Sequence, residues 1–326
     1  MIKSRTKYEA DNRDIVRIFE KHNIKNIGEI TPLGYGEFNA AYRVGDVIGN
    51  SGYVLKIAPP KEARVLTYEV GIMQSEVCWY DMMSRNTDIR IPKVYAQDFS
   101  CELIDSPYFI MEFFDGKPLW EAGLSAEEYE KAQNTKTEML ARIHRIHNNR
   151  FGYVQNGLHN TWYEAVCSMT ENLIADCESI GKDTPDGRRF LSVISRHRDI
   201  LSECPCSMVN FDLWDSNLLC NSSGELCLID PERGFYGDYI ADFVTLGGGQ
   251  KVPLGDKIKE TEIYNRVAEK PLIYGKNAEI RYQTAVGLLA LIEEVEKYVR
   301  YEPHEDNYIR NTEDARAMFD MVFDIL

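Results

Sequence analysis

Three polar residues in one stretch of the chain have types and spacing that could carry out phosphoryl transfer. Asp212 and Asn217 form a D-x-x-x-x-N pattern, and Asp230 follows the apolar run Leu226–Ile229 after a short hairpin. In kinases a loop aspartate accepts the proton of the attacking hydroxyl, while an asparagine and a second aspartate hold Mg²⁺ against the phosphates. Oxygen ligands suit this hard cation. The pattern predicts Asp212 as the catalytic base and Asn217 with Asp230 as Mg²⁺ ligands.

Two upstream features would help to complete a nucleotide site. Gly34-x-Gly36 lies between two strand signals, so its backbone amides could approach a triphosphate, although Asn39 stands where the third glycine of G-x-G-x-x-G belongs. Lys56 lies inside the β-rich apolar run Tyr53–Ile57, where its charge needs a partner. A phosphate and a carboxylate would satisfy it, and the alternative is an edge-strand lysine that faces solvent.

The predicted carboxylate partner of Lys56 is on a helix. Glu76 lies in the middle of a stripe of apolar residues at helical spacing, a costly position for an acid unless it is paired. Glu69, one heptad earlier on a similar face, is the alternative partner. We expect an ion pair between Lys56 and Glu76.

The strand signal Tyr108–Phe113 ends where a linker begins, and backbone groups at that point could hydrogen-bond an adenine edge. The best candidates are the carbonyl of Glu112 and the amide of Phe114, and an ordinary strand end is the alternative. This linker divides the chain into a predicted nucleotide-binding lobe, residues 1–115, and a predicted helical lobe with the catalytic loop and acceptor site, residues 116–326.

The elements that position these residues follow from the periodicity of the apolar side chains. Strand signals before residue 115 predict a small antiparallel sheet with one interior helix, and Arg90–Tyr95 is expected to be one of its strands. From Ser125 onward helical spacing dominates, and the chain ends in two amphipathic helices built around Leu288–Val299 and Met318–Phe323. The predicted fold class is α+β.

In their order along the chain, these features are those of the protein-kinase-like fold. In detail they resemble the aminoglycoside phosphotransferase and choline kinase group of small-molecule kinases. The similarity is most specific in the loop Phe211–Asn217 and in Ile229–Glu232, and it extends to Gly237–Phe243 and to Met139–His144. The resemblance implies a two-lobed fold and transfer of the γ-phosphoryl group of ATP or GTP, with Mg²⁺, to a hydroxyl of a small acceptor.

Two departures from the family pattern bear on activity. Asn210 stands two residues before Asp212, where the family usually has His, and Pro231 replaces an apolar or aromatic residue after Asp230. Asn210 favours an alternative function, a nucleotide-binding pseudokinase with a regulatory or scaffolding role. A true protein kinase is disfavoured because the segment between Asp230 and Asp242 is short and has no A-P-E sequence to support an activation segment.

Composition excludes several other classes of protein. The 326 residues carry a net charge of −15, which repels nucleic acids and anionic membranes. An acidic cleft in the C-terminal region would steer a cationic acceptor such as an aminoglycoside or amino alcohol, and solvated helix faces are the alternative for most of these acids. The family resemblance, rather than the charge, ranks a hydroxylated amine first. Residues 1–14 lack the apolar segment of a secretory signal, and the apolar stretch Ala285–Ile292 is too short to span a bilayer. We therefore expect a cytoplasmic protein; its oligomeric state stays open.

The eight cysteines lack the paired spacing of a zinc site and are expected to be free thiols. Cys220 and Cys227 lie on opposite sides of the turn Asn221–Gly224. If Cys220 faces Glu225 across that hairpin, the two thiols are out of register for a disulfide.

Overall fold

The computed structural model describes residues 7–34, 38–47 and 52–326. Its first part is an antiparallel sheet with the strand order β1-β2-β3-β5-β4. This confirms the predicted small antiparallel sheet. The strands are β1 Ile27–Leu33, β2 Ala40–Asp46, β3 Tyr53–Ile57, β4 Val94–Asp98 and β5 Tyr108–Glu112.

Helices cover both faces of this sheet, α1 Asn12–Lys21 on one and α2 Ile72–Asn86 on the other. Successive side chains of a strand point to opposite faces. Leu55 and Ile57 of β3 therefore pack in the cluster that contains α1, whereas Lys56 between them points toward α2. This alternation places a lysine on the face that borders the rest of the protein.

β4 begins four residues later than the strand signal at Arg90. Pro92 lies within the predicted strand and has no N–H to donate to a ladder, and regular pairing with β5 begins at Val94.

The second part of the chain is mainly helical, which confirms the predicted α+β class. The predicted boundary between residues 115 and 116 lies in the short connection from β5 to β6 and stays a prediction. The helices are α3 Ala126–Ile143, α4 Trp162–Ser179, α5 Pro185–Ser195, α6 Arg198–Ser202, α7 Ile258–Val267, α8 Lys276–Arg300 and α9 Asp306–Ile325.

Short strands hold the loops that carry the predicted chemistry. β7 Ser207–Val209 pairs with β10 Phe235–Gly237, and β8 Leu218–Cys220 lies between β6 Lys117–Pro118 and β9 Leu226–Leu228. The loop from β7 to β8 therefore starts and ends on anchored strands, and so does the loop from β9 to β10.

The predicted register of the β8–β9 hairpin was wrong by one residue. Cys220 faces Leu226 and Leu219 faces Cys227, because the Asn221 amide already bonds the Glu225 carbonyl within the turn. All eight cysteines are free thiols, as predicted.

The core of the helical part is built around α8, whose central residues from Ala285 to Ile292 are all buried. Gly287 lets α5 approach closely, since a Cβ there would lie 2.3 Å from the ring of Phe190. Among the residues that the structure describes, no helix has the length and hydropathy needed to cross a membrane.

Candidate active site

A cavity of about 520 Å³ separates the sheet from the helical part. Its walls combine apolar side chains from the sheet, including Val54 and Met111, with Leu219 and Ile229 from the short strands of the helical part. Lys56, the predicted base Asp212 and the predicted Mg²⁺ ligands Asn217 and Asp230 also line it. A cavity with apolar walls and a group of charged residues suits a nucleoside whose base packs between the walls and whose phosphates reach the charges.

Lys56 lies at the centre of a group of carboxylates. Its Nζ atom is 2.9 Å from both oxygens of Glu76, 2.6 Å from Oδ1 of Asp230 and 3.8 Å from Glu232. Burial disfavours the ammonium, but the three carboxylates outweigh it and hold the pKa of Lys56 well above its usual value. Lys56 is therefore a permanent cation at the phosphate end of the cavity.

The predicted Lys56–Glu76 ion pair is present in the structure. The alternative partner, Glu69, is bonded to other residues. Glu69 accepts a hydrogen bond from Arg300 at 2.5 Å and caps the backbone amide of Leu66 at 2.7 Å. It lies just before α2, on a 3₁₀ turn, so it does not share the face of the helix that carries Glu76.

Glu112 and Phe114 line the outer end of this cavity. The Glu112 carboxylate accepts hydrogen bonds from Arg90 at 2.5 and 3.0 Å. Because this carboxylate is already paired, its side chain is not suited to recognise a base. Gly116 follows with no room for a side chain, because a Cβ there would lie 2.6 Å from the ring of Phe114. The segment thus packs closely beside the cavity, and hydrogen bonds from its backbone to a base stay a prediction.

The predicted glycine pair is only partly described. Gly34 directly follows Leu33, which lines the cavity, whereas Gly36 lies outside the described residues. Asn39, at the third glycine position, is buried and donates to Glu232 at 2.8 Å. This bond ties the segment after the glycines to the segment after Asp230.

The loop from β7 to β8 is fixed by one buried carboxylate. Asp242 accepts from the backbone amides of Asn210 at 2.9 Å and Phe211 at 2.6 Å, and Nε2 of His144 lies 2.8 Å from it. These bonds stabilise Phe211 in the left-handed region, at φ +59°, which a residue with a side chain rarely adopts. Oδ1 of Asn210 then accepts a hydrogen bond from the backbone amide of Asp212 at 3.1 Å. Asn210 therefore supports the loop at the position where the family usually has histidine.

Asp212 projects from this loop into the cavity. Its Oδ2 atom accepts from the amide nitrogen of Asn217 at 2.9 Å, and Nε of Arg233 lies 3.8 Å from Oδ1. Burial raises the pKa of Asp212 to about 7; Arg233 opposes this rise, and the negative charges of Asp230 and Glu296 add to it. A carboxylate with a pKa near neutrality is suited to accept a proton.

Asn217 and Asp230 have the donor atoms that a magnesium ion requires. The nitrogen of Asn217 is engaged by Asp212, which leaves its amide oxygen as the atom for a cation. The backbone amide of Ile229 donates a hydrogen bond to the backbone carbonyl of Asn217 at 2.9 Å, so Asp230 is next to Asn217. The backbone amide of Asp230 in turn donates to the Tyr80 hydroxyl at 2.8 Å. Carboxylate and amide oxygens with room for water and phosphate fit Mg²⁺.

A second cavity of about 720 Å³ opens on the other side of Asp212, between the catalytic loop and the C-terminal helices. Asp215 on its wall is bonded by Lys136 at 3.0 Å, Gln133 at 2.8 Å and Tyr129 at 2.5 Å. The three partners are at i, i+4 and i+7 on α3, so this polar face was readable from the sequence, although we did not predict it.

Glu293 of α8 lies on the wall of the same cavity. Its Oε2 atom is buried and has no hydrogen-bond partner among the described residues. Burial raises the pKa of Glu293 to about 7, helped by Asp314 and Glu296, while Arg233 and Arg310 oppose the shift. This cavity therefore contains a carboxyl group that a bound cation would stabilise.

A family model described as the phosphotransferase enzyme family, APH, matches residues 29–252. The chain belongs to this family. Comparison with curated protein sequences found no match.

Solved structures of phosphotransferases share the fold over nearly the whole chain. A Ralstonia eutropha protein described as a candidate aminoglycoside phosphotransferase is 15% identical, with 97% of this chain and 98% of that one covered and a TM-score of 0.65. A thermostable mutant of APH(4)-Ia in complex with AMP-PNP and hygromycin B is 16% identical, with 97% and 99% covered and a TM-score of 0.63. The streptomycin–ATP–APH(2")-IIa complex is 15% identical, with 96% and 99% covered and a TM-score of 0.59. The predicted family and the two-lobed kinase-like fold are confirmed.

Proposed function

We propose that this phosphotransferase transfers the γ-phosphoryl group of ATP or GTP to a hydroxyl group of a small cationic acceptor. One observation carries the proposal. Asp212, with a pKa near 7, lies on the wall of both cavities, one suited to a nucleotide and the other open to a second small molecule. A base at such a junction can contact the acceptor hydroxyl while the phosphates approach from the opposite side.

In the proposed reaction the acceptor hydroxyl binds beside Asp212 and transfers its proton to the carboxylate. The acceptor oxygen forms a bond to the γ-phosphorus as the bond between that phosphorus and the β,γ-bridging oxygen breaks. The nucleoside diphosphate leaves with the bonding electron pair on its β-phosphate. Lys56, held by Glu76, positions the phosphates, and Asn217 and Asp230 would hold a magnesium ion, which would neutralise phosphate charge.

The charges of the second cavity support a cationic acceptor. Lys136 is bonded to Asp215, and Arg233 to Glu296, so these cations already have carboxylate partners. By contrast, the buried Oε2 of Glu293 has no hydrogen-bond donor in the described part of the chain, and an ammonium group would supply one. The solved complexes of related fold contain streptomycin or hygromycin B together with ATP or AMP-PNP, which supports an amine-bearing acceptor and favours ATP as donor.

The direct test is acceptor-dependent nucleotide consumption by the purified protein with Mg²⁺. ATP and GTP are compared across aminoglycosides, choline and other amino alcohols, and uncharged sugars. We expect turnover with a cationic class and none with Asp212→Ala, which should still bind nucleotide. If nucleotide binds but no acceptor supports turnover, the pseudokinase alternative gains support. The bond from the Asp212 amide to Asn210 weighs against that alternative, because it preserves the support of the loop.

A further inference from the structure

The two cavities meet at a small set of residues that also includes two arginines. The side chains that line both cavities are Trp120, Asp212, Trp214, Ser216, Arg233 and Arg300. If the proposed function is correct, the phosphoryl group must cross this boundary, because its donor and acceptor occupy opposite sides. Of the two arginines, Arg233 is the one that lies beside the predicted base.

Arg233 is placed by its position in the chain and by one strong ion pair. It follows Asp230 by three residues in the loop from β9 to β10, so one loop supplies both a predicted metal ligand and this cation. Its Nη2 atom is 3.0 and 3.1 Å from the two oxygens of Glu296 on α8. Its Nε atom is 3.8 Å from Oδ1 of Asp212, beyond hydrogen-bond distance.

These contacts leave part of the guanidinium for a ligand. Arginine has five N–H donors in a planar fork, and the ion pair with Glu296 uses Nη2. The side chain keeps 15% of its surface exposed, and this surface borders the two cavities. A guanidinium fork matches the geometry of phosphate oxygens and can donate two parallel hydrogen bonds to them.

We propose that Arg233 is a second catalytic residue, one that donates hydrogen bonds to the non-bridging oxygens of the phosphoryl group during its transfer. The proposal rests on the proposed function. As the bond to the β,γ-bridging oxygen breaks and the bond to the acceptor oxygen forms, negative charge is spread over the three non-bridging oxygens. A fixed cation at that point stabilises the transition state more than the bound nucleotide.

Glu296 then has the role of a positioning residue. Its carboxylate accepts hydrogen bonds from Arg233 and Tyr68 and forms an ion pair with Arg300. These three contacts fix the carboxylate, which in turn orients the guanidinium group of Arg233. The competing interpretation is that Arg233 serves only as the counter-ion of Asp212 and Glu296. The two interpretations predict different values of kcat for a variant that lacks the Arg233 charge, when kcat is measured at a pH at which Asp212 is fully ionised.

The test compares Arg233→Gln and Arg233→Lys with the parent chain, at pH values up to about 9. We expect the Gln variant to lose about 10²–10³-fold in kcat even on the alkaline plateau, with the KM for nucleotide changed less than about threefold. The Lys variant should recover part of the loss. A counter-ion role alone predicts that the Gln variant regains the parent rate on the plateau, and this result would overturn the proposal.

A second readout is the affinity for Mg²⁺, ADP and aluminium fluoride in the presence of acceptor, a planar mimic of the transferring phosphoryl group. The Gln variant should bind the mimic at least tenfold more weakly than the parent while its affinity for ADP is unchanged. Equal loss of both affinities would contradict a role specific to the transferring group.

Arg281→Gln is the matched control, because Arg281 has a similar exposure to Arg233, 18% of its side-chain surface, and is doubly bonded to a carboxylate, that of Asp238, but lines neither cavity. It should lower thermal stability and leave kcat within about threefold. A parent protein that consumes no nucleotide with any acceptor, or with water, would refute the proposed function itself. Normal parent turnover with an undiminished Arg233→Gln variant would refute only this inference.

Discussion

The replacement of Asp212 by Asn should abolish transfer and at the same time stabilise the fold, by an amount that depends on pH. The folded protein raises the pKa of this carboxyl from 3.8 to about 7, mainly through burial. Folding therefore favours the protonated form. The contribution of Asp212 to stability is full below the unfolded pKa, near 4, and is lost as pH rises toward 7.

The size of this effect follows from the shift. Roughly three pH units at about 1.36 kcal/mol each give an upper limit of about 4 kcal/mol. The Asp212 side chain keeps 16% of its surface exposed to the cavity, and water there weakens the penalty, so we expect about half, roughly 2 kcal/mol, above pH 7.5. Asn keeps the oxygen that accepts the hydrogen bond from Asn217 and carries no charge.

The assay is urea unfolding of the nucleotide-free parent and Asp212→Asn proteins at pH 5, 6, 7 and 8. The stability difference in favour of Asn should grow with pH and level off above about 7. Asp215→Asn is the control of opposite sign, because Lys136, Tyr129 and Gln133 outweigh burial and hold the pKa of Asp215 below its usual value. That variant should be less stable than the parent at pH 7. An Asp212→Asn protein that is less stable at pH 8, or a difference that does not change with pH, would refute the reasoning.

Four further outcomes are expected. The rate of transfer should fall about tenfold per pH unit below about pH 7, as Asp212 becomes protonated, and a flat pH–rate profile from pH 5 to 8 would contradict its role as the base. Lys56→Met should abolish nucleotide binding and cost about 3–5 kcal/mol in urea unfolding, because it leaves buried carboxylates unpaired; the double variant with Glu76→Gln should regain stability but not activity. Glu293→Gln should raise the KM of a cationic acceptor about tenfold and leave that of the nucleotide unchanged in steady-state assays, whereas equal KM values for the acceptor would remove Glu293 from its site. Asp242→Ala should lower the free energy of unfolding by at least about 3 kcal/mol, because two backbone amides and a histidine lose a common acceptor, and a normal melting temperature would contradict this.

Local patterns were enough to predict the sheet, the terminal helices and the placement of Lys56 against Glu76. The alternation of side chains along β3 decides on which face of the sheet Lys56 lies, and an acid in an apolar stripe of a helix requires a partner. Both inferences depend only on residues that are close in sequence. The same reasoning failed for the β8–β9 hairpin, where the Asn221–Glu225 bond moved the register by one residue.

Contacts between distant segments could not be predicted in this way. Arg233 meets Glu296, 63 residues later, and Glu69 meets Arg300 across 231 residues. The local sequence D-P-E-R predicts a surface arginine, because no nearby residue indicates that Arg233 has a buried partner. The family resemblance indicated the fold that brings such segments together, but it did not identify these pairs.

The last turns of α8 extend from the cavity proposed for the acceptor toward the cavity proposed for the nucleotide. Glu293 lines the second cavity, and two turns later Arg300 reaches Glu69 beside α2 and packs near Phe38 at the cavity between the sheet and the helical part. Because Arg300 of α8 lines both cavities, an acceptor that displaced the end of this helix would also change the free energy of nucleotide binding. Thermodynamic reciprocity then requires the nucleotide to change acceptor affinity by the same factor. Under the proposed function, donor and acceptor would then influence one another's binding through α8, without touching.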